Sequence, residues 1–203
     1  MVKLPSRRVC WWGKLPSRGD FVGRGLPARW RSEWDGWLQR GLALAATRWD
    51  GPALRERLRA FAPWRYLVLS APGETWSGII VASHDRVGRA FPLTLAERLA
   101  TPAPPHESAA RLASLLDAAA HGPEALEAAI EALPPRTSPA TDPSQAWPIE
   151  PASLWWPLTA PADAPARVAA WPPEPVLLPE LLDLQPTEHP IASAEDFVTC
   201  KRR

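Results

Sequence analysis

WRYLVLSAPGETWSGIIVAS, residues 64–83, decides the fold. Two runs rich in Val, Ile, Leu and aromatic side chains flank Ala71-Pro72-Gly73-Glu74, whose Pro and Gly carry turn chemistry. The stretch therefore predicts an antiparallel hairpin, with strands over 64–70 and 76–83. Downstream, DRVGRAFPLTLAERL predicts a tight turn over 85–88 and a further strand near 90–95. Pro92 has no N–H to give a ladder, so it puts that strand at a sheet edge or marks its first residue. Upstream, residues 9–12 read as a short strand that enters a loop over 13–19 punctuated by Gly and Pro.

Around this β core the apolar period changes from two to 3.6. After Pro27, a favoured first helical residue, Trp30, Trp34, Trp37, Leu38, Leu42 and Ala45 recur at helical spacing, with Arg29, Arg31, Glu33 and Arg40 on other faces. A second, short helix starts at Pro52, turns Leu54, Leu58 and Phe61 inward, and stops at Pro63. Helices are predicted again at 107–120 and 123–133, on the spacing of Leu112, Leu115 and Leu116, then Leu126, Ile130 and Leu133. Of the 26 prolines, 19 lie after residue 100, and PPRTSPATDPSQAWP at 134–148 reads as a linker or an extended surface segment. Beyond it, residues 153–156 suit a short strand and 179–184 a short helix. The expectation is one α/β (α+β) domain over 1–203, with a central, largely antiparallel sheet flanked by helices. Its core lies in 1–133, and a Pro-rich C-terminal portion, 149–203, packs on it.

A chain of 203 residues can bury one ample core. Its net charge of +1 hides an asymmetry: residues 1–100 hold 17 Lys and Arg against 8 Asp and Glu, while 101–203 hold 6 against 14. The two halves should attract each other, unless the basic half serves an acidic partner. No export leader and no run approaching eighteen apolar residues is present, which favours a cytoplasmic protein without a membrane insertion. Cys10 and Cys200 are then thiols, with a bridge between them as the alternative. Twelve Trp against one Tyr and four Phe point to a core that must find partners for many indole N–H groups. The alternative, since Trp11, Trp12, Trp30, Trp34 and Trp37 sit among arginines, is a stacking platform for nucleic acid.

Two loops gather the charged chemistry. In WWGKLPSRGDFV, residues 11–22, the Gly-Lys pair is not a Walker loop: Arg8 stands where the first Gly is needed and Leu15 where the hydroxyl is needed. Arg18-Gly19-Asp20 matches an adhesion tripeptide only by coincidence in a chain without an export signal. What remains is a rigid turn, with Pro16 fixing one φ and Gly19 able to take φ > 0. Asp20 needs donors, which a turn backbone, Arg86 or Arg89 would supply, and the same loop is a recognition candidate. In Asp85-Arg86-Val87-Gly88-Arg89 a tight turn is expected, with Asp85 accepting backbone N–H groups and Gly88 in a strained conformation; phosphate capture by Arg86 and Arg89 is the alternative. Ser83, His84 and Asp85 are triad types, but neighbours at a strand end point to opposite faces and Gly-x-Ser-x-Gly is lacking. His84, His106, His121 and His189 are too scattered to suggest a metal.

These residues carry a resemblance. WWGKLPSRGDFVGRGLP with WDGWLQ, then PWRYLVLS and GIIVASHDRVGRAFPLTLA, then SLWW, resembles the TagF family of type VI secretion system accessory proteins, block by block and in order. Where the family usually has Pro-Ser before its Asp-Arg turn, this chain has Ala82-Ser83-His84. The resemblance implies a cytoplasmic α/β protein that is no enzyme and takes no cofactor. It implies a post-translational repressor of secretion that acts through the forkhead-associated scaffold protein, in a network with a threonine kinase and a PP2C-type phosphatase. Lys14, Ser17, Arg18, Asp20 and Phe21 in the first loop, with Asp85, Arg86 and Arg89 in the second, are the candidate partner-binding residues. The rival readings are a structural component of the secretion apparatus and a phosphate-directed hydrolase.

Overall fold

The computed structural model describes residues 9–100, 105–134, 148 and 150–184. The hairpin at its centre is β3 (Trp64–Ala71) and β4 (Glu74–Val81), joined through Gly73 at φ 73°, with a bulge between Leu69 and Ala71. Strands β1 (Cys10–Gly13), β2 (Val22–Arg24), β5 (Leu93–Leu99), β6 (Ala152–Pro157) and β7 (Arg167–Ala170) complete one sheet in the order β2-β1-β5-β4-β3-β6-β7. Every pairing is antiparallel. Pro92 immediately precedes β5, which begins three residues later than the spacing predicts. That strand is not an edge: its ladder lies between β1 and β4, and Pro92 stands just outside it.

Alternation along the strands sorts side chains to two faces. Toward one face, Trp64, Tyr66 and Val68 of β3, Ile80 of β4 and Trp155 of β6 meet α1 (Ala28–Arg48), α2 (Gly51–Arg59) and α6 (Leu177–Asp183). Toward the other, Ile79, Leu93, Leu95 and Trp11 meet α3 (His106–Ala113), α4 (Leu116–His121) and α5 (Pro123–Ala132). The result is a sheet between two helical layers. The single helix expected over 107–120 is two, because the chain turns at Ser114 and Leu115 and tucks Leu115 into the core.

Most of the described tryptophans are core. Trp34, fully buried, has ring centroids of Trp30 and Trp37 at 5.0 Å, Tyr66 at 4.9 Å and Trp155 at 5.9 Å. Several indoles reach acceptors, such as Trp37 on the Glu174 carbonyl at 3.2 Å and Trp155 on Ser153 Oγ at 3.0 Å. Trp30, Trp34 and Trp64 keep buried N–H groups without one. Ring stacking and apolar burial outweigh those three omissions.

The C-terminal portion does more than pack on the core, since β6 and β7 are the last two strands of the sheet. Helix α6 then returns to α1, where Gly41 leaves room for Leu178: a Cβ on Gly41 would stand 2.7 Å from Leu178 Cβ. Residues 135–147 of the linker expected over 134–148, and Cys200, lie outside the described residues. Burial, then the nearby Glu127 carboxylate, pushes the Cys10 thiol up to about 11.

Candidate functional site

The two charged loops meet at one end of the sheet. Strand β1 runs into a turn closed by Arg18 N–H on the Leu15 carbonyl at 3.0 Å, with Pro16 at its first corner. The positive φ falls at Gly13, 148°, and not at Gly19. Any Cβ on Gly13 would press to 2.5 Å from the Pro92 carbonyl oxygen, so glycine lets β1 lie against the start of β5. The second turn, after β4, is closed by Gly88 N–H on the Asp85 carbonyl at 2.9 Å, with Gly88 at φ 81°.

Asp85 is the organising residue. It is fully buried, and its Oδ1 accepts from Val87 N at 3.1 Å and Arg89 N at 2.9 Å, as the turn chemistry predicts. Its Oδ2 takes Lys14 Nζ at 3.0 Å and Arg89 Nε at 2.6 Å. Burial alone would raise its carboxyl, but the Arg89 backbone donor and the Lys14 and Arg89 cations outweigh burial and hold it well below the usual carboxylate range. Lys14 is itself buried, and its ammonium stands 5.2 Å from the centre of the Phe21 ring. Ser83 Oγ donates to the Lys14 carbonyl at 2.6 Å, and Arg86 N–H to the Arg18 carbonyl at 2.7 Å. Arg89 Nη2 reaches the Gly19 carbonyl at 2.7 Å. The turns are thus one unit, tied by both side chains and backbone.

Of the donors considered for Asp20, the structure supplies the backbone one and neither arginine. Its Oδ1 accepts from the next residue's N–H, Phe21, at 2.8 Å, and among the described residues no arginine lies within ion-pair distance of it. The carboxylate that joins the loops is Asp85. Its donors come from its own turn, through Val87 and Arg89, and from Lys14 of the first loop.

Sorting the candidates by exposure separates structure from surface. Lys14 and Asp85 face inward, and Arg89 closes over them with its guanidinium at the surface. Ser17, Arg18, Asp20 and Arg86 are exposed, and Phe21 is 37% exposed. The Phe21 ring is nonetheless fixed, stacked on Trp12 at 5.8 Å and edge-on to Phe91 at 4.6 Å. Ser83 and His84 form no relay with Asp85: the serine is bound to the Lys14 carbonyl, and His84 Nδ1 lies 2.9 Å from the Asp85 carbonyl oxygen.

The sequence did not offer Arg24, Arg31, Glu124 or Glu127 as site residues, and with Trp12 they complete the site. Arg18 pairs with Glu124 at the start of α5, and Glu127 accepts from Trp11 Nε1 at 2.6 Å and Arg24 Nη1 at 2.9 Å. These contacts flank an open groove of about 650 Å³ between β2 and α5, into which Trp12 and Phe21 also face. The Arg31 guanidinium lies 5.1 Å over the Trp12 ring. The only sequence signal for such pairs was the opposite charge of the two halves.

Comparison with known proteins agrees with this architecture. The model of the TagF N-terminal domain, described as type VI secretion system-associated, matches residues 10–140. The chain is similar to the crystal structure of PA0076 from Pseudomonas aeruginosa PAO1, with a TM-score of 0.63 and 28% identity, over 91% of this chain and 98% of that one. No curated protein matches.

Proposed function

The chain belongs to the TagF N-terminal domain family of type VI secretion-associated proteins, and from that premise we propose that it is a binding module that represses secretion after translation. In this reading it acts in the cytoplasm by sequestering the forkhead-associated scaffold of the secretion system, so that assembly is blocked, with a PP2C-type phosphatase pathway relieving or reinforcing the block. No helix among the described residues is long and apolar enough to cross a membrane, which suits a protein that meets its target from solution.

The observation that carries the proposal is the locked pair of turns. Ordering loops on binding costs free energy, and here Asp85, Lys14 and Arg89 have already fixed them, so exposed Arg18, Phe21 and Arg86 are presented without that cost. A rigid, charged surface with an aromatic centre is the form of a recognition site. Ser83 and His84, meanwhile, are engaged with backbone carbonyls, and Asp85 with Lys14 and Arg89.

Affinity capture from a type VI secretion-positive bacterium tests it. The bait is the intact protein beside an Arg18→Glu, Arg86→Glu variant, which leaves the buried Lys14 and Asp85 in place. The expected result is recovery of the forkhead-associated scaffold by the intact protein and its loss with the variant, at unchanged melting temperature. Recovery of no secretion component by the intact protein would overturn the reading. Recovery of the scaffold in fixed stoichiometry with the assembled machine would favour a structural component instead.

A further inference from the structure

We propose that the exposed end of the two coupled turns docks an acidic segment of a partner protein, and that this segment anchors itself with a large apolar side chain. The inference rests on the binding-module reading above and adds the chemistry of what is bound.

Two features of the surface set that chemistry. The first is apolar: Phe21 is 37% exposed and Val87 69%, and they sit on turns joined directly by the Arg86 N–H to Arg18 carbonyl bond. Because Trp12 and Phe91 hold the Phe21 ring, it offers a pre-ordered face to an apolar anchor.

The second is uncompensated positive charge. Arg31 and Arg86 are exposed, and no carboxylate of the described residues lies within 4.0 Å of either guanidinium. Arg31 lies over Trp12, and Arg86 Nη2 passes 3.9 Å from the Cβ position of Gly19, so both border the aromatic centre. The nearby acids are otherwise engaged. Asp85 is enclosed by Lys14 and Arg89, Glu124 pairs with Arg18, Glu127 holds Trp11 and Arg24, Asp35 accepts from Trp12 and Gln39, and Asp20 turns to its neighbour's N–H. Two cations that no carboxylate of the described residues pairs, beside a fixed apolar centre, complement carboxylates around an apolar side chain.

A nucleic acid fits less well. It would need a continuous basic track, and here Asp20, Asp35 and Glu124 interrupt the arginines.

The test places a photo-crosslinker on the surface, Val87→p-benzoylphenylalanine, in the full chain inside a type VI secretion-positive bacterium. After irradiation the cross-linked peptide is sequenced by mass spectrometry. Because Val87 is mostly exposed, the variant should melt like the intact protein, and Phe21→p-benzoylphenylalanine is the second position. The expected product is a peptide of net negative charge containing Leu, Ile, Phe or Trp. Its yield should fall about tenfold when Arg86→Glu is added, as for a contact carried by charge. A neutral or basic peptide, a second copy of this chain, a lipid, a nucleic acid, or no cross-link from either position would overturn the inference. The two proposals fail separately. Capture of a secretion component without a cross-link here leaves the regulator reading and removes this surface. An acidic cross-linked peptide from a protein outside the secretion machine keeps the surface and removes the regulator reading.

Discussion

Lys14 and Asp85 stand 71 positions apart in sequence and bury one ion pair between them, and two predictions belong to that contact. Replacing one member leaves a buried charge unpaired, so Asp85→Ala should lower the melting temperature by roughly 6–12 °C. Asp20→Ala, which touches only its neighbour's N–H, should shift it by no more than about 2 °C. Differential scanning calorimetry distinguishes the two, and equal losses would contradict the assignment of the joining carboxylate to Asp85. The folded state holds the Asp85 carboxyl below its ordinary value, so its contribution is complete above the unfolded value of about 4 and is lost as pH falls through the folded value. Melting temperature should therefore fall as the buffer goes from about pH 5 to about pH 3, and Asp85→Asn should flatten that fall. At this scale the sequence was informative about types and silent about partners. The Asp85 turn was legible because Asp, Gly and their spacing specify it locally. The Lys14 link was not, since nothing local says which of several cations a buried acid will meet.

Elements were legible where many residues repeat one pattern. The Trp30, Trp34 and Trp37 spacing placed α1, and the β3–β4 hairpin followed from apolar runs about a Pro-Gly turn. Strands β2 and β7 escaped notice, because three or four residues such as Val22-Gly23-Arg24 are too few to show alternation; both are edges, whose polar side faces solvent. The break between α3 and α4 was hidden for another reason: Leu112, Leu115 and Leu116 keep an apolar period through it. Trp34→Ala should cost about 3–5 kcal/mol in chemical denaturation, since the ring is fully buried amid five other aromatic side chains. Gly78→Ala should also destabilise strongly, because its Cβ would stand 2.3 Å from the Tyr66 hydroxyl and 2.7 Å from the Leu95 carbonyl oxygen. A melting curve unchanged by either substitution would refute the packing described for β3, β4 and α1.

For the whole molecule, the opposite charge of the two halves is partly spent within the fold: Arg18 with Glu124, Arg24 with Glu127 and Arg57 with Asp183 each join a cation from the first half to an acid from the second. Exposed pairs of this kind contribute little stability each, so their sum orients more than it holds. What holds the C-terminal portion is apolar: Trp155 and Trp171 pack on Trp34, and Leu178 and Leu181 are fully buried. A chain ending at residue 140, where the family match ends, would lose β6, β7 and α6 and expose the β3 edge. That fragment should aggregate or bind a hydrophobic dye, whereas the full chain should not. The central claim is that a rigid surface made by two coupled turns recognises a secretion scaffold, and its most direct test is a calorimetric titration of the purified forkhead-associated scaffold. The intact protein should bind, and Arg86→Glu should weaken binding at least about tenfold with melting temperature unchanged. Equal affinity for both proteins, or no heat of binding with the intact chain, would contradict it.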